Sequence, residues 1–457
     1  TLATKTSGWS EIENLTGGIG DDSFTINGSI TSIDGGASDD TINYNSGTIG
    51  VLSGGEGDET NGDTLTGPAV ATTYVLNDVN SGTVGVGGQG FSNVENVTGQ
   101  GGNDTFNLNN TAANFTNVSG GGGGDTFNVT AAAAANLLGG VGNDTFDIDA
   151  ALIGLVSGGA DGDTLMGDQI ANVTMTTSNA TDGYGGTLAT TGNLSGGFSG
   201  INTLTGTGTL TGRNANSTWA LDSTPTYNDA VAGDLSFSGF NTLQGGSSLD
   251  TFNVTATSAL TLLGGSGGDI FNLSAAVTSL NGGADIDTVN VLVGFDASDM
   301  IMTAEEFNTV AGTLTGTVLT LVDARTVGSN GTPFLLNVAT LNVDTTSTVD
   351  LILDMPSGDI NIDAGGAVSL SEAGDLAFSR LNIAAAGPIT LLAPNLIADA
   401  NFGSAGDTLF LSATDSIIGG VGVVTASELS LIATNIIGTV TVPLNIDLAD
   451  PIGLSVQ

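Results

Sequence analysis

Cysteine and histidine are both absent from this sequence, and basic residues are almost absent. Without cysteine or histidine the chain cannot form a disulfide, a thiolate or imidazole metal site, or a catalytic mechanism built on histidine. Only 4 Lys+Arg stand against 47 Asp+Glu in 457 residues, which gives a formal net charge of −43. Such a chain repels phosphate, so we expect no nucleic-acid partner. Oxygen ligands are abundant, and these are the ligands of hard cations such as Ca²⁺.

Long apolar runs and proline are also scarce, whereas glycine is abundant. No apolar run reaches the roughly 18 residues that a membrane-spanning helix requires, so we expect no membrane insertion. The 8 Pro and 72 Gly accompany many Thr, Val, Ile and Asn residues, a composition typical of strands and turns. Hydrophobic residues make up 39% of the chain, which is too many for an acidic disordered tail. The composition therefore indicates a folded all-β protein.

A nine-residue unit, Gly-Gly-x-Gly-x-Asp-x-apolar-x, recurs through roughly the first 290 residues. Complete copies begin at Gly17, Gly120, Gly139 and Gly264. Near copies begin at Gly35, Gly54, Gly99, Gly158, Gly245 and Gly282. In the stretch 120–159 each unit is followed by an alternating strand, a bend of small residues and a second short strand, which fits one turn of a solenoid. We therefore predict an all-β, right-handed parallel β-solenoid, similar to a β-helix or β-roll, with coils of about 19 residues.

The repeat also predicts two columns of like side chains along the coils. The apolar position two residues after the Asp is often phenylalanine, and we expect these rings to fill the core as an internal aromatic ladder: Phe24, Phe106, Phe127, Phe146, Phe252 and Phe271. The neighbouring outward positions repeat threonine and asparagine: Thr105, Thr126, Thr145 and Thr251 with Asn107, Asn128, Asn253 and Asn272. This second column predicts a solvated face with side-chain hydrogen bonds between coils; binding of glycans or ice is the alternative.

A second motif, aromatic-Ser-x-apolar-x-x-apolar-x-Gly, begins at Trp9, Phe91, Phe198 and Phe237 and accompanies the long intervals between units. It predicts extra strands on the same axis.

After about residue 291 the nine-residue unit disappears and Thr/Val/Leu/Ile alternation takes over, with a short helix predicted over 297–310. The resulting divisions alternate regular coils with irregular, wider ones: 1–62 regular, 63–98 irregular, 99–168 regular, 169–244 irregular, 245–290 regular, and 291–457 a different kind of β-helix coil.

The nine-residue units resemble the RTX family of secreted calcium-binding repeats, over roughly residues 17–290. That resemblance implies Ca²⁺ held between successive coils by turn carbonyls and by the Asp of each unit. The implied ligands are Asp22, Asp40, Asp104, Asp125, Asp144, Asp163, Asp250, Asp269 and Asp287. RTX units are tandem, two per turn, whereas this chain has one per coil, so only one edge of the solenoid would carry ions.

Simple electrostatics gives a further reason to expect a cation beside these aspartates. Stacked coils place one Asp above another at about 4.8 Å, where two charges repel by about 3 kcal/mol at an effective dielectric near 20. Four basic side chains cannot compensate a column of this kind. The alternative is purely structural, since an Asp in a turn often accepts backbone N–H bonds.

Residues 291–457 are similar in strand pattern to the haemagglutinin-like adhesins and large exoproteins of Gram-negative bacteria, as in Asp359-Ile360-Asn361-Ile362. That similarity implies an exported protein, extracellular or at the bacterial cell surface. The sequence also ends in the middle of a pattern, so we expect either a fragment or a protomer that stacks end to end on other copies or on neighbouring repeats.

The expected function is therefore structural and not enzymatic: a calcium-stiffened solenoid rod that forms a surface fibre, an adhesin stalk, or a matrix or surface-layer component. Extracellular glycans are a further candidate partner. The enzymatic alternative is a β-helix polysaccharide lyase or hydrolase, which would pair carboxylates as acid and base. Lyase chemistry usually adds a basic side chain, and Lys5, Arg213, Arg325 and Arg380 lie far apart in the sequence.

Overall fold

The computed structural model describes residues 13–85, 87–189, 193–298, 300–309, 311–329, 332–439, 441–449 and 454–457. Strands make up 60% of the fold, and they form stacked parallel coils of a β-solenoid with about 21 turns. This confirms the predicted fold class. In the described part of the chain the helical content is one 3-10 turn, Phe378–Arg380, and there is no helix long and apolar enough to cross a membrane. Trp9 and Lys5 lie outside the described residues.

The chain divides into two compact units that are interleaved in sequence. Unit 1 comprises Thr1–Arg213 and Thr224–Asn241. Unit 2 comprises Asn214–Ser223 and Thr242–Gln457. Each unit is a stack of coils in which strands of successive coils pair in parallel and in register, so like residues of the repeat lie above one another.

Unit 1 contains three parallel columns of strands. The first column is Ser23–Asn27, Thr41–Ser46, Thr64–Thr66, Asn96–Thr98, Asn114–Gly122, Ala133–Val141, Val156–Ala160 and Phe198–Ile201. The second column is Thr73–Asp78, Thr105–Leu108, Thr126–Val129, Thr145–Ile148, Thr164–Met166, Thr203–Thr205 and Leu235–Ser238. The third column is Asn14–Ile19, Ile30–Ala37 and Ile49–Gly55, and the short strand Leu152–Ile153 pairs with Ala133–Val141.

Antiparallel excursions interrupt unit 1 within the two stretches that the sequence marks as irregular. In 63–98, Ser81–Val84 pairs antiparallel with Thr73–Asp78 and with Gln89–Phe91. In 169–244, Gly183–Leu188 pairs antiparallel with Ala171–Asn179 and Phe198–Ile201. The remaining strands there are Thr207–Thr211, parallel to Ala171–Asn179, and Thr226–Asn228, antiparallel to Leu235–Ser238.

Unit 2 contains two long parallel columns. The first is Ser217–Leu221, Asp250–Val254, Ile270–Leu273, Thr288–Val291, Glu306–Thr309, Thr326–Val327, Val349–Asp354, Val368–Glu372, Ile389–Ile397, Thr408–Ile418, Glu428–Ala433 and Leu454–Val456. The second is Thr242–Gln244, Thr261–Ser266, Ser279–Ala284, Met300–Thr303, Leu314–Val322, Phe334–Thr345, Asp359–Ala364 and Leu381–Ala385. Shorter pairings involve Leu376–Ala377, Ile436–Ile437, and Val423–Ala426 with Asn445–Leu448.

The helix predicted over 297–310 is wrong. The described residues there form two strands, Met300–Thr303 and Glu306–Thr309, each paired in parallel with a neighbouring coil on either side. Met300 and Met302 alternate inward, and Phe307 lies beside Val289 of the preceding coil. Hydrogen bonds to two adjacent coils outweigh a modest local helix preference, because an unpaired coil would leave both of its neighbours with an open edge.

The predicted phenylalanines do fill the core, but they form two separate stacks. In unit 1 the rings of Phe106, Phe127 and Phe146 stack with centroids 4.9 and 4.8 Å apart, and Tyr74 caps this column at 4.5 Å. The corresponding unit 2 column is Trp219, Phe252 and Phe271, spaced by 5.5 and 5.0 Å. Phe24 lies beside Ile42 and joins neither stack.

Candidate functional site

The aspartates of the repeat in unit 1 form a hydrogen-bonded ladder that runs from coil to coil. The backbone N–H of Asp104 donates to Oδ1 of Asp125 at 2.7 Å, Asp125 donates to Asp144 at 2.7 Å, and Asp144 donates to Asp163 at 2.8 Å. Each carboxylate therefore accepts the N–H of the equivalent Asp in the preceding coil. Thr72 donates to Asp104 at one end, and Asn202 accepts from Asp163 at the other. We call this set the central ladder.

A second ladder in unit 1 follows the first column of strands. Asp22 donates its N–H to Oδ1 of Asp40 at 2.6 Å, and Asp40 donates to Asp63 at 2.7 Å. Asp63 in turn donates to Oε2 of Glu95 at 2.8 Å. We call this set, Asp22, Asp40, Asp63 and Glu95, the first ladder.

Unit 2 carries a third ladder of the same kind. Asp250 donates to Asp269 at 2.8 Å, Asp269 to Asp287 at 2.8 Å, and Asp287 to Oε2 of Glu305 at 3.0 Å. Ser217 donates its hydroxyl to Oδ1 of Asp250. All nine predicted aspartates thus belong to one of three ladders, and each ladder continues into residues outside the predicted set.

The ladder carboxylates face inward, and most of them keep one oxygen without a partner. Eight of the nine predicted aspartates are at most 1% exposed, and Asp22 is half-buried. Oδ1 is taken by the N–H of the preceding coil, whereas the buried Oδ2 of many members accepts no hydrogen bond: Asp40, Asp63, Asp104, Asp125, Asp144, Asp163, Asp269 and Asp287. Asp250 differs, because its Oδ2 accepts the N–H of Gly246 at 2.6 Å.

The first glycine of each unit makes room for this carboxylate. A Cβ placed on Gly139 would lie 2.1 Å from Oδ2 of Asp144 and 2.4 Å from the carbonyl oxygen of Gly158 in the next coil. At Gly264 the corresponding atoms are Oδ2 of Asp269 at 2.3 Å and another carbonyl oxygen at 2.3 Å. Both oxygens therefore face the glycine Cα. The first glycine is required here for close packing, whereas the glycine that follows it, Gly140 or Gly265, has the positive φ of the turn.

Burial makes these carboxyl groups weak acids, and neighbouring carboxylates add to the effect at most of them. Desolvation raises the pKa to about 7 for Asp63, Asp144 and Asp269. Desolvation raises the pKa to about 6 for Asp104, Asp163 and Asp287. It also raises the pKa of Asp40, Asp125 and Asp250. Burial therefore favours the neutral form of these nine carboxyl groups relative to an exposed aspartate, and a positive charge beside them would favour ionisation.

The asparagines of the Thr/Asn column form the predicted hydrogen bonds between coils. The side-chain amide of Asn128 donates to Oδ1 of Asn107 at 2.9 Å, and Asn272 donates to Asn253 at 2.9 Å. These side chains are half-buried. Amides that pair with one another along the stack contribute to cohesion between coils.

The sequence prediction missed four residues whose side chains accept a ladder N–H: Asp63, Glu95, Asn202 and Glu305. Asp63 was displaced from its expected position by a longer turn after Gly54, although the Asp-Thr-apolar signature of 63–65 was available to find it. Glu95 and Asn202 both occupy the fifth position of the aromatic-Ser motif. That shared position is the signal that could have identified them.

Three acidic residues around the end of the first ladder converge on one point. Glu59, Asp63 and Glu95 each place a carboxylate oxygen within 4.8 Å of the other two. Asp63 is buried, whereas Glu59 and Glu95 are half-buried. Desolvation, followed by repulsion from Glu95, raises the pKa of Glu59. We call these residues the carboxylate triad.

A polar cleft of about 290 Å³ lies elsewhere in unit 1, beside the antiparallel excursion of 169–201. Among the described residues its lining includes Thr177, Ser178, Asn179 and Ser199, with Asp182 as the single carboxylate. Nearby, Arg213 forms a salt bridge with Asp229 and donates to the hydroxyl of Ser178. The lining that the structure describes thus offers hydroxyl and amide groups but no pair of carboxylates for acid and base catalysis.

Comparison of the chain with protein-family models and with curated proteins found no match.

Proposed function

We propose that this chain is a non-enzymatic structural protein of the cell surface, in which Ca²⁺ stiffens stacked solenoid coils. The observation that carries the proposal is the central ladder, Asp104 to Asp163, in which each buried carboxylate binds the backbone of the preceding coil. Side chains in this position join one coil to the next. The protein would serve as a surface fibre, an adhesin stalk, or a component of a matrix or surface layer.

The role of Ca²⁺ follows from the oxygens that the ladders leave without partners. An ionised Asp144 has one oxygen bound to the N–H of Asp125 and one buried oxygen without a hydrogen-bond partner. Burying such a charge is unfavourable unless a proton or a cation compensates it. A divalent cation bound beside the ladder would supply this compensation. Carboxylate and carbonyl oxygens are the ligands that Ca²⁺ takes. The resemblance of the repeats to RTX units supports the same interpretation.

Export to the surface rests on the resemblance of 17–290 to RTX repeats and of 291–457 to haemagglutinin-like adhesins. The acidic excess agrees with it, since 47 Asp+Glu against 4 Lys+Arg keep a repetitive apolar chain soluble and attract divalent cations. Stacking on other copies or on neighbouring repeats, and contact with extracellular glycans, are the partner interactions that belong to this proposal.

Calcium titration tests the central claim. The full chain, stripped with a chelator at pH 8, is melted with and without CaCl₂ while the β-sheet circular dichroism signal is followed. We expect a higher Tm with Ca²⁺ and a smaller effect of Mg²⁺, which demands a more regular octahedral site. An identical Tm in chelator and in Ca²⁺ would contradict the calcium part of the proposal. Electron microscopy of the calcium-loaded protein then tests whether copies associate end to end.

The carboxylate triad is the feature that the alternative function, hydrolysis of a polysaccharide, would require. Glycosidases that retain configuration use two carboxyl groups about 5–5.5 Å apart, and the triad oxygens lie within 4.8 Å of one another. However, Glu95 already accepts hydrogen bonds at both oxygens, from Asp63 and from Asn80. We expect no release of reducing sugar from acidic or neutral polysaccharides. Activity that disappears in Glu59→Gln would overturn the non-enzymatic proposal.

A further inference from the structure

We propose that Glu59, Asp63 and Glu95 form a dedicated Ca²⁺ site at the end of the first ladder. The site is separate from the repeated aspartates of the other two ladders, and it falls outside the residue set that the RTX resemblance implies. The proposal deepens the function proposed above, and it rests on that function for the view that the protein works where Ca²⁺ is available.

An insertion in the turn brings Glu59 to the ladder. The turn from Gly54 to Asp63 spans ten residues, whereas the turn from Gly35 to Asp40 in the preceding coil spans six. The extra residues are anchored by Asp39, whose carboxylate accepts the backbone N–H of Thr60 at 2.8 Å and of Gly62 at 3.1 Å. The inserted segment is therefore hydrogen-bonded to the turn of the preceding coil, with Glu59 just before the anchored residues.

Glu95, the fifth residue of the aromatic-Ser motif that begins at Phe91, is held by two hydrogen bonds. Its Oε2 accepts the N–H of Asp63 at 2.8 Å, and its Oε1 accepts the side-chain amide of Asn80. Gly62 packs directly against it, because a Cβ at that position would lie 2.5 Å from Cβ of Glu95. Preorganised ligands of this kind lose little conformational freedom when an ion binds.

The separation of the three oxygens suits one ion. They lie within 4.8 Å of one another. Since Ca²⁺–oxygen distances are about 2.3–2.6 Å, two ligands of the same ion are at most about 5 Å apart. The triad can therefore surround a single Ca²⁺ and leave its remaining positions to water.

Unpartnered oxygens at the triad point to a missing positive charge. Asp63 is 1% exposed, and its Oδ2 has no hydrogen-bond partner. Oε1 of Glu59 is buried and also lacks a partner. In the part of the chain that the structure describes, the one salt bridge is Arg213–Asp229, so no basic side chain neutralises the triad. A divalent cation bound between these three carboxylates would compensate their charge.

The ligand set selects a hard cation. All three ligands are carboxylates, and the chain has no histidine or cysteine to favour zinc or copper. Ca²⁺ accepts irregular coordination by carboxylates and water, whereas Mg²⁺ dehydrates reluctantly and demands near-octahedral geometry. We therefore expect Ca²⁺ to bind more tightly than Mg²⁺.

Isothermal titration calorimetry with CaCl₂ tests the site on the chelator-treated full chain at pH 8. The variants are Glu59→Gln and Glu59→Gln/Glu95→Gln, with Glu56→Gln as the matched control, because Glu56 lies exposed in the same turn and its loss removes the same charge. We expect at least a tenfold weaker affinity for one Ca²⁺ in both triad variants and unchanged binding in the control. Circular dichroism checks that each variant is folded. The single Glu59→Gln variant is included because it leaves the hydrogen bonds of Glu95 intact.

A ladder variant, Asp125→Asn/Asp144→Asn, separates this proposal from the calcium-stiffened solenoid. If the triad variants bind Ca²⁺ as the wild type does, the triad proposal is overturned, while a calcium-dependent Tm would still support the ladders. If the triad variants lose binding and the ladder variant keeps it, the triad site stands. If Ca²⁺ neither binds nor raises Tm in the wild type, both proposals fail.

Discussion

The backbone N–H of Asp125 donates to Oδ1 of Asp144, one coil later and 19 residues away in sequence, at 2.7 Å. The same bond recurs along the central ladder, so the aspartate of the repeat is part of the joint between coils. It differs from an ordinary turn aspartate, which accepts N–H groups of its own turn. This relationship determines what removal of a ladder carboxylate should do.

Replacement of Asp125 with alanine should destabilise unit 1. The N–H of Asp104 would lose its acceptor in a buried position, which costs about 1–3 kcal/mol. Asp125→Asn is the matched control, because its amide oxygen can still accept that bond. Urea unfolding at pH 5 measures the free energy of unfolding of both variants and of the wild type. Equal stabilities of the alanine and asparagine variants would show that the hydrogen bond contributes nothing.

Replacement of Gly139 with alanine should be far more damaging than an ordinary glycine substitution. The new Cβ would lie 2.1 Å from Oδ2 of Asp144 and 2.4 Å from the carbonyl oxygen of Gly158. The two neighbouring coils would therefore have to move apart. We expect a loss of about 1–3 kcal/mol, as for other overpacked sites. Gly28→Ala is the control, since no atom lies within 4 Å of its added Cβ. A Gly139→Ala variant as stable as the control would rule out the close packing described above.

Stability in the absence of divalent cations should fall as the pH rises. Burial raises the pKa of Asp144 and Asp269 to about 7, above the ordinary value of 3.8 expected in the unfolded chain. A raised folded-state pKa stabilises the fold fully below the unfolded value, and this contribution is lost as the pH rises through about 7.

Thermal melts in chelator between pH 4 and pH 8 provide the measurement. We expect Tm to decrease across this range in the wild type and to decrease less in Asp144→Asn/Asp269→Asn, which cannot ionise at either position. A Tm that rises from pH 5 to pH 8 in chelator would mean that the ladders are stable as carboxylates.

The aromatic stack of unit 1 should contribute strongly to the free energy of unfolding of that unit. Phe127 lies between Phe106 and Phe146 with centroids 4.9 and 4.8 Å away, and it is fully buried. Phe127→Ala should cost about 3–5 kcal/mol in the free energy of unfolding. Phe410→Ala is the comparison, because that ring is 44% exposed and its removal should change stability by less than about 0.5 kcal/mol. Similar losses in the two variants would argue against stacking as the source.

The sequence by itself determined the coil period, the all-β class and the positions of the repeated aspartates and phenylalanines. These features are local, since an unbroken unit places the same residue at the same point of every coil, as in Asp125 and Asp144. It could not determine how coils join across an interruption. Register there depends on which strands pair, so Tyr74 enters the aromatic stack and Phe24 does not.

Only the tertiary structure decided what the carboxylates contact. The spacing of the repeat is the same whether an aspartate faces solvent, a cation or the preceding coil, and the inward direction of Asp144 became visible only with its burial and its N–H partner. The triad is a stronger case. Glu59 and Glu95 are 36 positions apart and meet because a turn insertion and a returning strand reach the same end of a ladder. The sequence period predicts the position of every residue that repeats. The triad is built from two interruptions of the repeat, so its residues come together only when the coils pack against one another.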